Sequence, residues 1–262
     1  MLFLLRKIRK RLMKENKISA YLLYAVGEIL LVVIGILIAV SIDDWNQERK
    51  SKDLGEEYRA RLISDLESDN ENIRKRIEFF QNVWNYGLQA EAHLKESEVY
   101  TFEEQWDFVY ASFQASQVWP FRASIITYNE LQNNGIMQYL AEDSLLIQIS
   151  TYYIDSPEQL KDLTGGTSDF RDFTRGVISI DIQTFIWENC FKIGRADNQT
   201  FKPCAPPLAL VKITEEAYSR LRNNQDFNRL LTRRLATLYV RSLIYRNTLT
   251  ENELLLSNLK GI

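Results

Sequence analysis

The sequence holds one histidine, two cysteines and five prolines in 262 residues, and each shortage removes a class of chemistry. With His93 as the sole imidazole, neither a zinc-type ligand cluster nor a histidine-based triad has its residues. The surrounding charge pattern predicts His93 on the surface of a helix. Thr164-Gly165-Gly166-Thr167 lacks the lysine that a phosphate-binding loop needs, so it reads as a turn. Ser257 and Lys260 have the spacing of a Ser-Lys acyl-transfer pair, but they sit among the last residues, where no rigid pocket is expected. Neighbouring carboxylates such as Asp65 with Asp69, or Glu103 with Glu104, are what an acidic helix face carries; a glycosidase needs two of them facing across a cleft. The reading is a non-enzyme with no catalytic set, no cofactor and no metal.

Concentrated positive charge is missing from most of the chain. Residues 1–42 carry seven Lys/Arg against Glu15 and Glu28, which leaves 25 Lys/Arg against 33 Asp/Glu beyond them, for a net charge of -3. An acidic body without a basic face excludes a nucleic-acid partner, because phosphate binding needs clustered cations. The basic residues Arg6, Lys7, Arg9, Lys10 and Arg11 instead suit lipid headgroups. Leu2, Phe3, Leu4, Leu5, Ile8 and Leu12 are interleaved with them, so residues 1–20 read as an amphipathic tail along a membrane surface.

From Tyr21 to Ile42 the chain is apolar for 22 residues apart from Glu28. As a helix this run extends about 33 Å, matching a hydrocarbon core of about 30 Å. Cations precede it, while Asp43, Asp44 and Glu48 follow, so the positive-inside rule places the N-terminus in the cytoplasm and residues 43–262 outside. A cleaved signal peptide is the alternative. Against it, the run exceeds the usual 7–15 apolar residues, and Ala39-Val40-Ser41 is a weak cleavage site.

At 100° per residue, Tyr21, Tyr24, Glu28, Gly35 and Ala39 fall within about 60° of one another, and Gly35 and Ala39 have small-xxx-small spacing. A carboxylate at Glu28 is costly in lipid and calls for a partner or water. The face reads either as a packing seam, joining two copies or another membrane protein, or as ordinary membrane-helix composition with Glu28 solvated near the headgroups.

The stretch LLRKIRKRLMKENKISAYLLYAVGEILLVVIGILIAVSIDDWNQERK, with its basic segment at Arg6 to Arg9, Glu15-Asn16, Tyr21 to Ile29 and Trp45 to Glu48, resembles the N-terminal signature of an uncharacterised bacterial membrane-protein family, domain of unknown function 6090. Thr127 to Tyr153 is similar to that family's middle region. Where the family's pattern reads mostly INNW, this chain has IDDW, a more acidic outer flank. The resemblance covers about a quarter of the chain. It implies a bacterial inner-membrane location with a periplasmic domain, and no activity.

Beyond the span, Leu54, Tyr58, Leu62, Leu66, Ile73 and Ile77, then Phe80, Trp84 and Leu88, recur at helical intervals, predicting a long amphipathic helix continuous with the span. Thr101 with Glu104 forms a capping-box pattern, Gly135 stops a short helix begun near Ser124, and Asp143 or Ser144 caps the next. Residues 169–187 read as one helix, although 177–187 alternate as a strand would. Residues 192–212 read as irregular. Phe227, Leu230, Leu231, Leu235, Leu238 and Tyr239, followed by Leu243, Ile244, Leu249 and Leu254, mark a long final helix. Cys190 and Cys204 bracket the Pro-rich stretch. In an oxidising compartment their bridge closes a loop of about 15 residues and contributes about 3 kcal/mol in the chain-entropy model; the alternative is two unpaired thiols. Trp84, Trp106, Trp119 and Trp187 read as core, and a groove of Trp119, Phe121 and Arg122 is conceivable.

The expected architecture is therefore mainly α: one transmembrane helix over 21–42, then a periplasmic helical bundle over 43–262 with its long helices antiparallel. The expected role is a membrane-anchored protein that presents a binding or interaction domain and self-associates through its span. The alternatives are a sensor or accessory subunit of a transporter or signalling complex and, last, an envelope enzyme.

Overall fold

The computed structural model describes residues 18–95, 100–164, 168–193, 199–202 and 204–261. The chain is mainly helical. In order it contains α1 (Ile18–Lys95), α2 (Phe102–Ala115), α3 (Ile126–Asn134), α4 (Asp143–Thr164), α5 (Asp169–Val177), α6 (Ile180–Asn189), the strands β1 (Phe191–Ile193) and β2 (Gln199–Phe201), α7 (Val211–Arg222) and α8 (Gln225–Lys260). Short 3-10 turns lie at Met137–Tyr139 and Leu208–Leu210. It divides into two compact units, Met1–Glu57 and Tyr58–Ile262.

The first unit is the beginning of α1. This helix is long and apolar enough to cross a membrane, and none of its apolar window is buried among the described residues. Leu23, Leu31 and Leu37 are each at least 60% exposed. After the apolar run, Gln47 donates to Asp43 at 2.9 Å, Lys52 pairs with Glu48, and the Arg49 guanidinium lies over the Trp45 ring.

The second unit is built on the rest of α1. Leu62, Leu66, Ile73 and Phe80 are buried as their spacing predicts, but Leu88 is exposed. Two apolar clusters of described residues lie in the interior. One gathers Trp106, Phe108 and Phe113 of α2 with Phe170, Ile182 and Phe227; the other gathers Ile73, Phe80 and Val83 of α1 with Trp119, Leu238 and Tyr245. Helix α2 packs along α7, while α4 and α5 pack along α8. Side chains from α1 and α8 meet in order: Leu235 lies against Gly87, Asn252 donates to Asn70 at 2.8 Å, and Lys260 donates to Glu67 at 2.6 Å.

Several boundaries follow local chemistry. The Thr101 side chain accepts from the Glu104 N–H and the Glu104 carboxylate accepts from the Thr101 N–H, completing the capping box. Gly135 ends α3 at φ 65°, a left-handed conformation that glycine adopts without steric cost. Asp143 lies in the first turn of α4 rather than capping it, and the Glu142 carbonyl accepts the first N–H groups there.

Three expectations are corrected. Residues 169–189 form two helices, because Ile178 is extended and Ser179 starts a new helix by accepting from the Ile182 N–H. Within that stretch the helical reading holds over the strand alternative: Ile178, Ile182 and Ile186 recur every four residues and are all buried. The stretch taken as irregular holds the β1–β2 hairpin, paired antiparallel with Phe191 opposite Phe201, and the beginning of α7. On α8, Tyr239, Leu243 and Leu254 are exposed whereas Arg234, Arg241, Thr248 and Asn252 are buried, since the inner face of this helix uses polar side chains where apolar ones were expected.

At Gly87 an added Cβ would lie 2.7 Å from Leu235 Cδ2, the swinging end of a side chain. Alanine there gains about 1 kcal/mol of helix propensity, which offsets the small displacement of Leu235. Valine adds bulk at the same point and β-branching, so overpacking of about 1–3 kcal/mol dominates. Urea denaturation should place Gly87→Ala near wild type and Gly87→Val clearly below it.

Candidate functional site

A cleft of about 390 Å³ opens on the second unit. One bank is a single stripe of α1, on which Lys75, Glu78, Asn82, Asn85 and Gln89 follow one another at intervals of three and four residues. The opposite bank is Thr200 and Phe201 of β2. Between them lie the edges of Phe79, Tyr86 and Trp119. Phe201 stacks on Phe79 with centroids 5.2 Å apart, and Trp119 meets Phe79 edge to face at 5.2 Å. Phe79 and Trp119 are buried, Tyr86 and Phe201 only partly, so the rings brace one another and the amide side chains supply the open surface. Among the described residues one cation and one carboxylate line the cleft, and Lys75 is held by Glu71 at 2.6 Å.

The β2 wall depends on the cysteines. Cys190 and Cys204 are bonded to each other, with Cα atoms 5.0 Å apart, as the sequence suggested. Beside the bridge, the Lys202 N–H donates to the Cys190 carbonyl at 2.8 Å and the Tyr110 hydroxyl donates to the Lys202 carbonyl. These contacts anchor a hairpin of three-residue strands that is too short to be stable alone.

Trp119 is held from the other side by arginines. Residues 116–125 have no regular structure yet Ser116, Gln117, Trp119 and Phe121 are buried, so their carbonyls need donors. Arg234 donates to the carbonyls of Ala115 at 3.0 Å and Gln117 at 2.6 Å, and Arg171 to that of Ser116 at 2.9 Å. Arg175 reaches the side chains of Ser116 and Gln117. Arg76 donates to the Pro120 carbonyl while its guanidinium lies 3.6 Å over the Trp119 ring. Carbonyls at the end of α2 are the negative pole of its dipole, which suits this convergence of cations. Burial, then Arg241 and Arg171, lower the pKa of Arg234; burial, then Arg171, lowers that of Arg175.

Asp69 departs most from its expected place. Rather than lying on an acidic surface face it is fully buried, accepting from the Ser124 N–H at 3.1 Å, the Ser124 hydroxyl at 2.9 Å and the Tyr152 hydroxyl at 2.8 Å. Burial raises its pKa above the usual aspartate value, against the pull of these hydrogen bonds. His93 is likewise not a surface residue. It is partly buried against the rings of Tyr100 and Phe108, and its carbonyl accepts from Arg222.

Of the predicted site residues, Glu28, Gly35 and Ala39 are exposed on α1, and among the described residues nothing lies within 4 Å of a Cβ added at Gly27 or Gly35. The side chain of Tyr24 and the residues Arg6, Lys7, Arg9, Lys10 and Arg11 lie outside what the structure describes. The suggested groove does not form: Trp119 and Phe121 are buried, Arg122 points to solvent, and Trp119 serves the cleft with other partners. Among the described residues no three His, Cys, Asp or Glu side chains are grouped to hold a metal. Sequence reading missed the cleft because its amides look like the polar side of an amphipathic helix and its second wall is more than 100 residues away.

Asp69 yields a pH dependence. A carboxyl whose pKa is raised on folding binds its proton more tightly in the native state, so its contribution is full below the unfolded aspartate value of about 3.9 and is lost as pH rises through the folded value. Asp69→Asn removes that titration. Its stability relative to wild type, measured by urea denaturation, should improve as pH rises from about 4 to 7. Asp69→Ala leaves buried donors of Ser124 and Tyr152 unmatched and should cost about 2 kcal/mol or more. No family model, curated protein or solved structure matches the chain.

Proposed function

We propose that this chain is a membrane-anchored, non-enzymatic envelope protein that presents a helical binding domain and associates with itself through its membrane helix. The observation that carries the reading is the apolar start of α1, exposed among the described residues and followed by a unit that bears a disulfide. Exposed apolar surface of that length is at home in lipid, and the bridge suits an oxidising compartment. The charge flanks support a cytoplasmic N-terminus and a periplasmic second unit in a bacterial inner membrane. The N-terminal motif supports membership of domain of unknown function 6090. The falling α1 numbers and rising α8 numbers of successive contacts support an antiparallel bundle.

Glu28, Gly35 and Ala39 are uncovered on their helix, so a face able to pack closely needs its partner from another molecule. A second copy is the first choice. The same open face also favours a second reading, an accessory or sensor subunit docked on another membrane protein; co-purification of a multi-span protein in mild detergent would mark that case.

Crosslinking in native membranes should trap a species larger than the monomer, and Glu28→Leu or Gly35→Leu should reduce it. A monomer throughout would remove the self-association claim. An alkaline phosphatase reporter fused after Ile262 should be active outside the cytoplasm; an inactive, cytosolic reporter would overturn the topology.

A further inference from the structure

We propose that the cleft between α1 and the β1–β2 hairpin binds a neutral saccharide of about disaccharide length. This deepens, and rests on, the reading of the second unit as a binding domain.

The cleft volume of about 390 Å³ lies toward the small end of the roughly 300–1,000 Å³ typical of small-molecule sites. Its charges exclude the commonest ligand classes. Phosphate and carboxylate ligands are taken by clustered cations, whereas among the described residues Lys75 is the one cation lining this cleft and is bound to Glu71. Cationic ligands are taken by open aromatic faces or several carboxylates, whereas here Trp119 and Phe79 are turned into the core and, among the described residues, Glu78 is the one carboxylate.

What faces the space is amide. Asn82, Asn85 and Gln89 each carry a carbonyl acceptor and a two-proton donor, the combination that matches hydroxyls, which donate and accept together. Asn82 and Gln89 are separated by about 10 Å along the helix axis, the reach of a disaccharide. Asn85 already accepts from Gln81 at 3.3 Å, which sets its orientation and leaves its amide protons for the cleft. The partly exposed Tyr86 and Phe201 supply apolar surface for the C–H faces of a sugar ring. A peptide fits less well, because strand addition draws its affinity from a run of main-chain hydrogen bonds and β2 is three residues long.

The test uses the full-length chain in detergent micelles, titrated calorimetrically with N,N′-diacetylchitobiose, maltose and, as the competing class, tri-alanine. At least one sugar should bind saturably. Asn82→Leu and Gln89→Leu should each weaken it tenfold or more, with the helical circular-dichroism signal and thermal midpoint unchanged. Absence of sugar binding, or sugar binding indifferent to both substitutions, overturns the proposal. Tri-alanine binding that the same substitutions abolish, without sugar binding, replaces the saccharide by a peptide. The alkaline phosphatase reporter separates the two levels of inference. An external reporter with no sugar bound sinks the ligand assignment alone, and a cytosolic reporter with sugar bound sinks the envelope reading and leaves the cleft.

Discussion

The buried segment after α2 can exist because arginine side chains replace the secondary structure it lacks. Unmatched buried carbonyls cost about 1–3 kcal/mol each, and the carbonyls of Ala115, Ser116, Gln117 and Pro120 are met by Arg234, Arg171 and Arg76. Charged donors make stronger hydrogen bonds than neutral ones, which offsets part of the cost of drawing guanidinium groups out of water. The helix terminus offsets more of it, since the end of α2 is where positive charge is favoured. Placing Arg234 and Arg241 a few turns apart on one helix face carries repulsion, visible in the direction in which each neighbour pushes the Arg234 pKa.

That clamp sets what lies beyond it. Arg76 fixes Trp119, Trp119 fixes Phe79, and Phe79 supports Phe201, so a line of ring contacts leads from the polar interior to the wall of the cleft. The far end of the line is tied by the Cys190–Cys204 bridge and the Lys202 hydrogen bonds. Asp69 does comparable work at the start of α3, holding Ser124 and Tyr152 together against α1. The groups most costly to bury are thus spent on fastening irregular chain to regular helices, and the cleft is a by-product of where those fastenings end.

What proved legible in the sequence was local. The capping box at Thr101 and Glu104 needs only residues three apart, and the stop at Gly135 needs only a residue that tolerates positive φ. The apolar run of α1 is recognised by length and composition, and its exposure agrees with that reading. The cysteine pair was legible because two thiols permit a single bridge. The break at Ser179 shows the limit even of local signals: a serine that caps a new helix has the same spelling as a serine inside one, and the buried isoleucines on either side decided it.

Composition and periodicity by themselves determined a helical chain, its membrane-length apolar start and several helix ends, because those depend on hydrogen bonds and hydrophobic spacing within a few residues. Only tertiary structure decided that Asp69, Arg234 and Arg241 are interior, that His93 sits among rings, and that Asn82, Asn85 and Gln89 face Phe201 across a cleft. A polar side chain is soluble or buried according to whether a partner arrives from elsewhere in the chain. For Asp69, Arg234, Arg241 and the cleft amides the partners lie dozens to more than a hundred positions away, where no local pattern can announce them.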